Sequence, residues 1–388
     1  MRIKILNVVG ARPNFMKIGP IIDAIRDRSH AGEGLEQFLV HTGQHYDRQL
    51  SALFFEQLGI PSPDVNLEVG SGSHAVQTAE IMTRFETVCL EQKPSHVLVV
   101  GDVNSTIACA LVAAKLGIRV VHVEAGLRSF DRTMPEEINR ILTDAIADEL
   151  FTTEQSANEN LRREGIPDSK VHFVGNVMID SLLRHRRKAE ESSILKDLGL
   201  TGGNHGITPY GVLTLHRAAT VDDPDRFREI LEAVLEVSKG LPIVFPVHPR
   251  TKSRIAAFGF HGDFRWAQLS AGTPTENARG IIAVEPLGYL DFLRLMSSAR
   301  VVLTDSGGIQ EETTILDIPC VTLRESTERP VTVEQGTNVL AGIRKRDILT
   351  HVQAQLERPR TARRSAPPLW DGKAAERIVD QLIKSVRE

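Results

Sequence analysis

The chain has 388 residues, and its 46 Lys and Arg residues against 50 Asp and Glu residues leave a formal net charge of −4 at pH 7. This balance argues against a protein whose main partner is nucleic acid or an anionic membrane surface. Aromatic residues make up only 5% of the chain, which disfavours carbohydrate grooves lined with stacked rings and single-strand nucleic-acid binders.

Short β-branched runs alternate with amphipathic helical stretches through the first half of the chain. The pattern predicts strands over residues 4–9, 37–42, 96–100, 119–123, 149–152 and 171–173. It predicts helices over residues 13–27, 74–91, 105–116, 135–145 and 154–164. Strands separated by such helices imply βαβ units and therefore a parallel sheet. A charged stretch and a Gly-rich loop within residues 186–208 then predict a linker.

The alternation restarts after this linker. Strands are predicted over residues 211–215, 243–246, 280–284, 300–304 and 320–323, and helices over 224–238, 289–297, 308–316 and 372–387. Residues 97–123 and 301–323 share one plan of strand, Asp-containing turn, helix, short link and strand. We therefore predict an α/β protein with two Rossmann-like, doubly wound parallel-sheet domains facing a cleft. Ligands of such sheets bind beyond the carboxyl ends of the strands.

The cysteines and the hydropathy pattern predict the compartment. Three cysteines, widely spaced and without a CxxC pair, exclude a disulfide framework or a thiolate zinc cluster and fit a reducing environment. The N-terminus lacks the apolar core of a signal peptide, and no apolar stretch approaches the roughly 18 residues of a transmembrane helix. We expect a cytoplasmic enzyme without a membrane segment.

A turn that follows the predicted strand 300–304 has the composition of an anion site. Ser306, Gly307 and Gly308 lead into a helix, whose free backbone N–H groups suit a diphosphate. Glu312 lies one turn further in, where a carboxylate can hold a ribose diol. The motif is neither GxGxxG nor a P-loop, so neither NAD nor ATP is implied. An ordinary Gly-containing cap turn is the structural alternative.

Carboxylates follow two neighbouring strands and open a helix in the first half. Asp102 follows one strand, Glu124 ends the next, and Glu136 and Glu137 lie in the first turn of a predicted helix. First-turn acids also have a plain explanation in the helix dipole. Grouped carboxylates raise one another's pKa, which supplies the mixed protonation states that acid–base catalysis requires.

Cations follow strands in both halves. Arg12 and Lys17 meet at one anion only if the loop after the first strand folds over the helix start; solvated surface cations are the alternative. His216 and Arg217 end one strand and His248 ends another, where they can neutralise phosphate. The sequence has no HExxH or EF-hand spacing, so a protein-held metal is not expected.

These motifs resemble those of the non-hydrolysing UDP-N-acetylglucosamine 2-epimerases over essentially the whole chain. The shared segments include "GARPNFMK", "HTGQHYD", "GDVNST", "HVEAGLRSF", "MPEEINRILTD", "TLHR", "PVHPR", "EPLGYLDFLRLM", "LTDSGGIQEE" and "ESTERPVTVEQGTN". The resemblance implies a glycosyltransferase-B-like pair of domains. Residues 1–185 with 367–388 would carry the catalytic carboxylates and a returning C-terminal helix, and residues 186–366 would bind UDP. It also implies a homodimer, no cofactor, no metal and a place in polysaccharide biosynthesis.

The family's reaction, as the resemblance implies it, inverts C2 of a UDP-N-acetylhexosamine. UDP is eliminated to give a 2-acetamidoglucal, and re-addition with the proton on the other face of C2 gives the manno epimer, so one carboxylate removes the C2 proton and another returns it. The sequence leaves open which acid has which role. By resemblance the catalytic residues are Asp102, Glu124, Glu136 and His216. The substrate-binding residues are Arg12, Lys17, Arg217, His248, Phe292 (against the uracil), Ser306, Gly307, Gly308 and Glu312.

Four alternatives stay open. A relative that acts on a UDP-2,3-diacetamido-2,3-dideoxyglucuronate shares several segments, so the sugar is less certain than the chemistry, and a hydrolysing form is a further variant. A glycosyltransferase of the same fold belongs to a different class, which the three carboxylates of the first domain argue against. A catalytically silent sensor of nucleotide sugars is disfavoured by the same intact set.

Overall fold

The computed structural model describes residues 3–43, 55–201, 206–267, 280–358 and 365–387. The chain divides into two compact units: unit 1 comprises Met1–Arg184 and Pro367–Glu388, and unit 2 comprises His185–Ala366. Each unit contains a seven-stranded sheet flanked by helices, and the strand pairs are parallel. The predicted α/β class with two doubly wound parallel sheets is confirmed.

Unit 1 has the strand order β3-β2-β1-β4-β5-β6-β7. Its strands are β1 (Ile3–Val9), β2 (Leu35–His41), β3 (Val65–Asn66), β4 (His96–Val100), β5 (Arg119–Ala125), β6 (Glu149–Thr152) and β7 (Val171–Phe173). Its helices are α1 (Arg12–His30), α2 (His74–Gln92), α3 (Asn104–Lys115), α4 (Pro135–Ile146), α5 (Gln155–Arg163) and α6 (Val177–Ala189), the last of which continues into unit 2. All residues of β4 are buried, as expected for a strand with helices on both faces.

Unit 2 has the strand order β10-β11-β9-β8-β12-β13-β14. Its strands are β8 (Gly211–Thr214), β9 (Ile243–Pro246), β10 (Phe264–Trp266), β11 (Ile281–Val284), β12 (Val301–Thr304), β13 (Cys320–Thr322) and β14 (Asn338–Leu340). Its helices are α7 (Ile194–Asp197), α8 (Ala218–Val221), α9 (Pro224–Ser238), α10 (Pro249–Ala257), α11 (Tyr289–Ser297), α12 (Gly307–Leu316), α13 (Val331–Glu334) and α14 (Lys345–Glu357).

The sequence pattern did not predict the edge strands β3, β10 and β14, which have two or three residues each and show little period, although it did predict the equally short β7. It also missed α10, α14, most of α6 and the one-turn helices α7, α8 and α13. The predicted likeness between residues 97–123 and 301–323 is confirmed at the level of topology. These segments form β4-α3-β5 and β12-α12-β13, and β4 and β12 occupy equivalent places beside the first strand of their sheets.

The last helix, α15 (Ala374–Arg387), belongs to unit 1 and packs against α1. Asp180 of α6 accepts hydrogen bonds from the backbone N–H groups of Ala374 (3.2 Å) and Ala375 (2.7 Å), and so caps the helix from a distant part of the chain. The Trp370 indole N–H donates to the Thr153 carbonyl at 2.8 Å. No helix among the described residues is both long and apolar enough to span a membrane.

Strand order determines where each unit can bind a ligand. In unit 1 the chain direction across the sheet reverses between β1 and β4, and in unit 2 it reverses between β8 and β12. Loops after these strand pairs diverge and leave a crevice at the carboxyl edge. Helix α1, which carries Lys17, follows β1, and the loop that carries Asp102 follows β4. In unit 2 the loops that carry His216 and Ser306 follow β8 and β12.

Candidate functional site

Lys17 and Glu124 form a buried ion pair at the carboxyl edge of the unit 1 sheet. Lys17 is 6% exposed and Glu124 5% exposed, so this pair is shielded from water and from dissolved salt. Lys17 was predicted to meet a substrate anion, whereas in this structure its ammonium group neutralises Glu124. Arg12 is the first residue of α1, but its side chain lies outside the described part of the structure.

Glu124 has an unusual backbone conformation. Its φ is +73°, in the left-handed region, and the register of β5 against β6 shifts between Val123 and Ala125. A non-glycine residue at such a bulge costs on the order of 1–3 kcal/mol, and such strain clusters at functional sites. The sequence alone gave no sign of this strain, since the segment has an ordinary strand pattern.

Asp102, the second residue after β4, is bound by Arg140 of α4. The Arg140 Nε and Nη2 atoms lie 3.0 and 2.5 Å from the same Asp102 oxygen, Oδ2. The Asn139 amide also donates to the Asp102 backbone carbonyl at 2.9 Å. One helix therefore sets both the backbone and the carboxylate of Asp102, and sequence analysis assigned neither Asn139 nor Arg140 to the site.

The structure separates the roles of two adjacent glutamates of α4. Glu137 is 1% exposed and accepts hydrogen bonds from Ser129 N (2.9 Å), Phe130 N (2.9 Å) and Arg140 Nη1 (2.7 Å). Its carboxylate is therefore committed to holding the loop before α4. Glu136 is only partly buried and, within the described residues, makes no hydrogen bond or ion pair, which leaves its carboxylate available for chemistry.

In unit 2, Asp305 fixes the loop that carries His216. Asp305 is fully buried, and its carboxylate accepts from the backbone N–H of His216 (3.0 Å) and of Arg217 (2.9 Å). Its Oδ1 also lies 2.9 Å from His216 Nδ1, which directs the other ring nitrogen of this half-exposed histidine away from Asp305. Burial on its own would raise the pKa of Asp305, but the charge and hydrogen bonds of His216 outweigh it and hold the pKa below its usual value.

The predicted diphosphate turn forms the N-terminus of α12. Ser306 is the N-cap residue, yet its side chain makes no capping hydrogen bond, and no acidic residue lies in the first turn. A Cβ atom built on Gly307 would lie 2.5 Å from Arg329 Nη1 and 2.8 Å from Glu328 Oε1. A side chain at position 307 would therefore have to displace Arg329 and Glu328 from the start of this helix.

A cluster of buried charges lies behind this turn. Glu328 bonds Arg217 (3.0 Å), Arg324 (2.8 Å) and Arg329 (2.8 Å), and Arg329 also bonds Glu311 at 2.7 Å. These three guanidinium groups and two carboxylates carry one net positive charge. Arg324 Nη1 is buried and has no hydrogen-bond partner among the described residues. Positive charge beside a helix N-terminus favours an anion.

Phe292 lies on α11 and Glu312 lies on α12. Glu312 is buried and accepts a hydrogen bond from the Tyr289 hydroxyl at 3.0 Å, while Phe292 is partly buried on α11. Burial, with the nearby charge of Glu311, raises the pKa of Glu312 to about 8.

His248 lies between β9 and α10. It is the exposed N-cap residue of α10, and its Nδ1 accepts from the Arg250 backbone N–H at 3.3 Å. The Arg250 side chain pairs with Asp222, with 3.1 Å between Arg250 Nε and Asp222 Oδ1. Unit 1 thus pairs Lys17 with Glu124 and places Asp102 after the neighbouring strand, paired with Arg140. Unit 2 brings together His216, Arg217 and the turn at Gly307.

Known proteins resemble this chain over nearly its full length. The sequence profile of the UDP-N-acetylglucosamine 2-epimerase family matches residues 27–383. A UDP-N-acetylglucosamine 2-epimerase of Methanocaldococcus jannaschii is 41% identical over 380 residues, which is 97% of this chain and 98% of that protein. A UDP-2,3-diacetamido-2,3-dideoxy-D-glucuronate 2-epimerase of Pseudomonas aeruginosa is 39% identical, over 98% of this chain and 99% of that protein.

A solved structure gives the same result for the fold. The crystal structure of the M. jannaschii UDP-GlcNAc 2-epimerase in complex with UDP-GlcNAc and UDP matches with a TM-score of 0.86 and 41% identity. The match covers 98% of this chain and 100% of that one. The chain belongs to the UDP-N-acetylglucosamine 2-epimerase family.

Proposed function

We propose that this protein interconverts UDP-N-acetylglucosamine and UDP-N-acetylmannosamine by inverting C2. The observation that carries the proposal is the buried Lys17–Glu124 pair on a strained strand end, at the same sheet edge as Asp102. Full-length similarity to a 2-epimerase crystallised with UDP-GlcNAc and UDP supports the substrate.

The C2 hydrogen of the sugar is not acidic, so the bond from C1 to UDP must begin to break first. Positive charge that develops at C1 acidifies the C2 hydrogen, and its removal gives a 2-acetamidoglucal and UDP. Return of the proton on the opposite face of C2, and of UDP to C1 with its original configuration, completes the inversion. The reaction consumes no oxidant or reductant, so it needs only acid–base groups and stabilisation of the departing diphosphate.

In unit 1, Asp102, Glu124 and Glu136 would divide proton removal and proton return. Their environments differ: Glu124 faces a buried ammonium group, Asp102 faces a guanidinium group, and Glu136 is partly exposed without a partner among the described residues. One of these carboxylates would act as the base while another acts as the acid.

In unit 2, the N-terminus of α12 at Ser306, Gly307 and Gly308 would bind the diphosphate. His216 would stabilise the leaving phosphate, because Asp305 orients its ring and leaves its second nitrogen available. Binding roles for the remaining predicted residues follow from the same family pattern: Arg12, Lys17, Arg217, His248, Phe292 and Glu312.

A UDP-2,3-diacetamido-2,3-dideoxyglucuronate is the second candidate substrate. The identity to the P. aeruginosa 2-epimerase named for that sugar is 39%, close to the 41% for the M. jannaschii enzyme. The two sugars share the C2 acetamido group and the UDP leaving group. The proposed proton transfer would be unchanged, and only groups at C3 and C6 would differ.

We also propose that the protein is a cytoplasmic homodimer that supplies sugars for polysaccharide synthesis. The family resemblance supports the dimer and the role in biosynthesis. Cys89, Cys109 and Cys320 are free and buried, which supports a reducing compartment.

The test is incubation of the protein with each UDP-sugar in heavy water. Formation of the C2 epimer with deuterium at C2 is expected, and no exchange with either sugar would refute the proposal. Asp102→Asn and Glu124→Gln should each lower turnover by at least about 100-fold if the residue transfers a proton. Glu91→Gln, at an exposed residue of α2, is the matched control and should match the wild type. Near-normal turnover of either site variant would remove that residue from the mechanism.

A further inference from the structure

Asp144 of α4 contacts the chain on both sides of Glu124. Its Oδ1 lies 2.6 Å from His122 Nδ1, and its Oδ2 accepts from the Gly126 backbone N–H at 3.0 Å. His122 and Gly126 are the second residues before and after Glu124. A single carboxylate therefore spans the bulge in β5 at which Glu124 adopts its left-handed conformation.

The same contacts continue to the turn that carries Asp102. His122 Nε2 lies 2.9 Å from the Gly101 carbonyl oxygen, and the Gly101 N–H donates to the Val123 carbonyl at 3.0 Å. One ring nitrogen of His122 thus faces the Asp144 carboxylate and the other faces the Gly101 carbonyl. The ring therefore ties β5 to the end of β4 at the level of Glu124.

Asp144 is ionised and fully buried. Burial alone would raise its pKa, but the charges and hydrogen bonds of His122 and Arg128 outweigh it and hold the pKa below the usual value. Arg128 Nη2 lies 2.7 Å from Asp144 Oδ2 and 2.6 Å from Glu164 Oε2. A buried charge network of this kind adds little to stability compared with apolar packing, so its presence calls for another explanation.

We propose that Asp144 is a positioning residue for proton transfer at C2, because it holds the strained strand end from which Glu124 projects. Backbone strain of this kind persists only where the surroundings over-determine it. If the bulge relaxed into a regular strand, the residues after it would shift register and exchange faces of the sheet. Glu124 would then leave Lys17. This inference rests on the proposed function of Glu124.

Asp144→Asn tests the proposal with little change in volume. An amide offers one oxygen acceptor and places an NH₂ group against either His122 or Gly126, so one of the two clamping bonds is lost. The matched control is Asp148→Asn. Asp148 accepts from the Val120 N–H at 2.9 Å and thus holds the opposite end of the same strand.

Asp144→Asn should lower kcat by about 100-fold, the loss expected for a displacement of about 1 Å at a reacting group, with KM for the UDP-sugar changed less than about threefold. Asp148→Asn should keep kcat within about threefold of the wild type. In a Glu124→Gln background the Asp144→Asn effect should vanish, since Asp144 acts through Glu124. Equal kcat for the two aspartate variants, or an unreduced effect in the Glu124→Gln background, would overturn the proposal.

Crystal structures of both aspartate variants give a readout that does not depend on activity. Glu124 should leave the left-handed region in Asp144→Asn and keep it in Asp148→Asn. Retention of φ near +73° and of the Lys17 contact in Asp144→Asn would also overturn the proposal. A wild-type protein without C2 exchange would instead refute the proposed function, so the two failures are distinguishable.

Discussion

Adding one methyl group at Gly101 should lower activity by more than its effect on stability explains. The φ of Gly101 is +68°, and a Cβ atom built there would lie 2.8 Å from Lys17 Nζ and 3.4 Å from Glu124 Oε2. Gly101→Ala therefore places a methyl group against the buried ion pair. Gly117 is a matched control in the same unit, because its φ is +70° and a Cβ atom there meets nothing within 4 Å.

Two separate costs can be estimated for these substitutions. An L side chain in the left-handed region costs about 1–2 kcal/mol, which lowers the Tm of a domain of this size by roughly 2–8 °C in either variant. The contact with Lys17 adds little to that loss, because Nζ is the end of a flexible side chain and can move aside. A displacement of about 1 Å at a reacting group lowers kcat by about 100-fold. A displacement of Lys17 Nζ by about half an ångström should therefore lower kcat by about tenfold.

Thermal melts and C2 deuterium exchange followed by NMR measure the two quantities on the same samples. We expect similar Tm losses for Gly101→Ala and Gly117→Ala, with a loss of kcat in Gly101→Ala alone. If the two variants have kcat values within about twofold of each other, the position of Lys17 Nζ does not control proton transfer and the reasoning fails.

Two further predictions concern unit 2. Gly307→Ala should weaken UDP binding by at least about tenfold in calorimetry, because the new methyl group displaces Arg329 and covers the N-terminus of α12. The control is Gly240→Ala, where a Cβ atom meets nothing within 4 Å, and it should bind UDP like the wild type. If Gly307→Ala bound UDP as tightly as Gly240→Ala, the assignment of the turn would be contradicted. For Glu312 the folded-state pKa of about 8 lies above its ordinary value of 4.5, so its contribution to stability is present below about pH 4.5 and is lost as the pH rises through 8. The Tm of Glu312→Gln relative to the Tm of the wild type should therefore rise between pH 6 and pH 9. A constant Tm difference across this range would show that Glu312 does not titrate there.

The sequence by itself determined the α/β class, the parallel sheets and the loops that carry the chemistry. These features follow from local patterns: continuous apolar runs such as β4, helices with a regular period, and Gly-rich turns after strands. Because parallel strands place their carboxyl ends at one edge of a sheet, Asp102 and Glu124 could be grouped without coordinates.

Only the tertiary structure decided what each charged group does. Glu136 and Glu137 are equivalent in sequence pattern, but Glu137 is saturated by hydrogen bonds from a preceding loop and Arg140. Lys17 pairs with Glu124, which lies 107 residues further along the chain. Asp144 contacts the chain on both sides of a bulge in β5 that no residue pattern predicts. The physical reason is common to all three: the state of a buried charge depends on partners and burial that the fold assembles from distant segments.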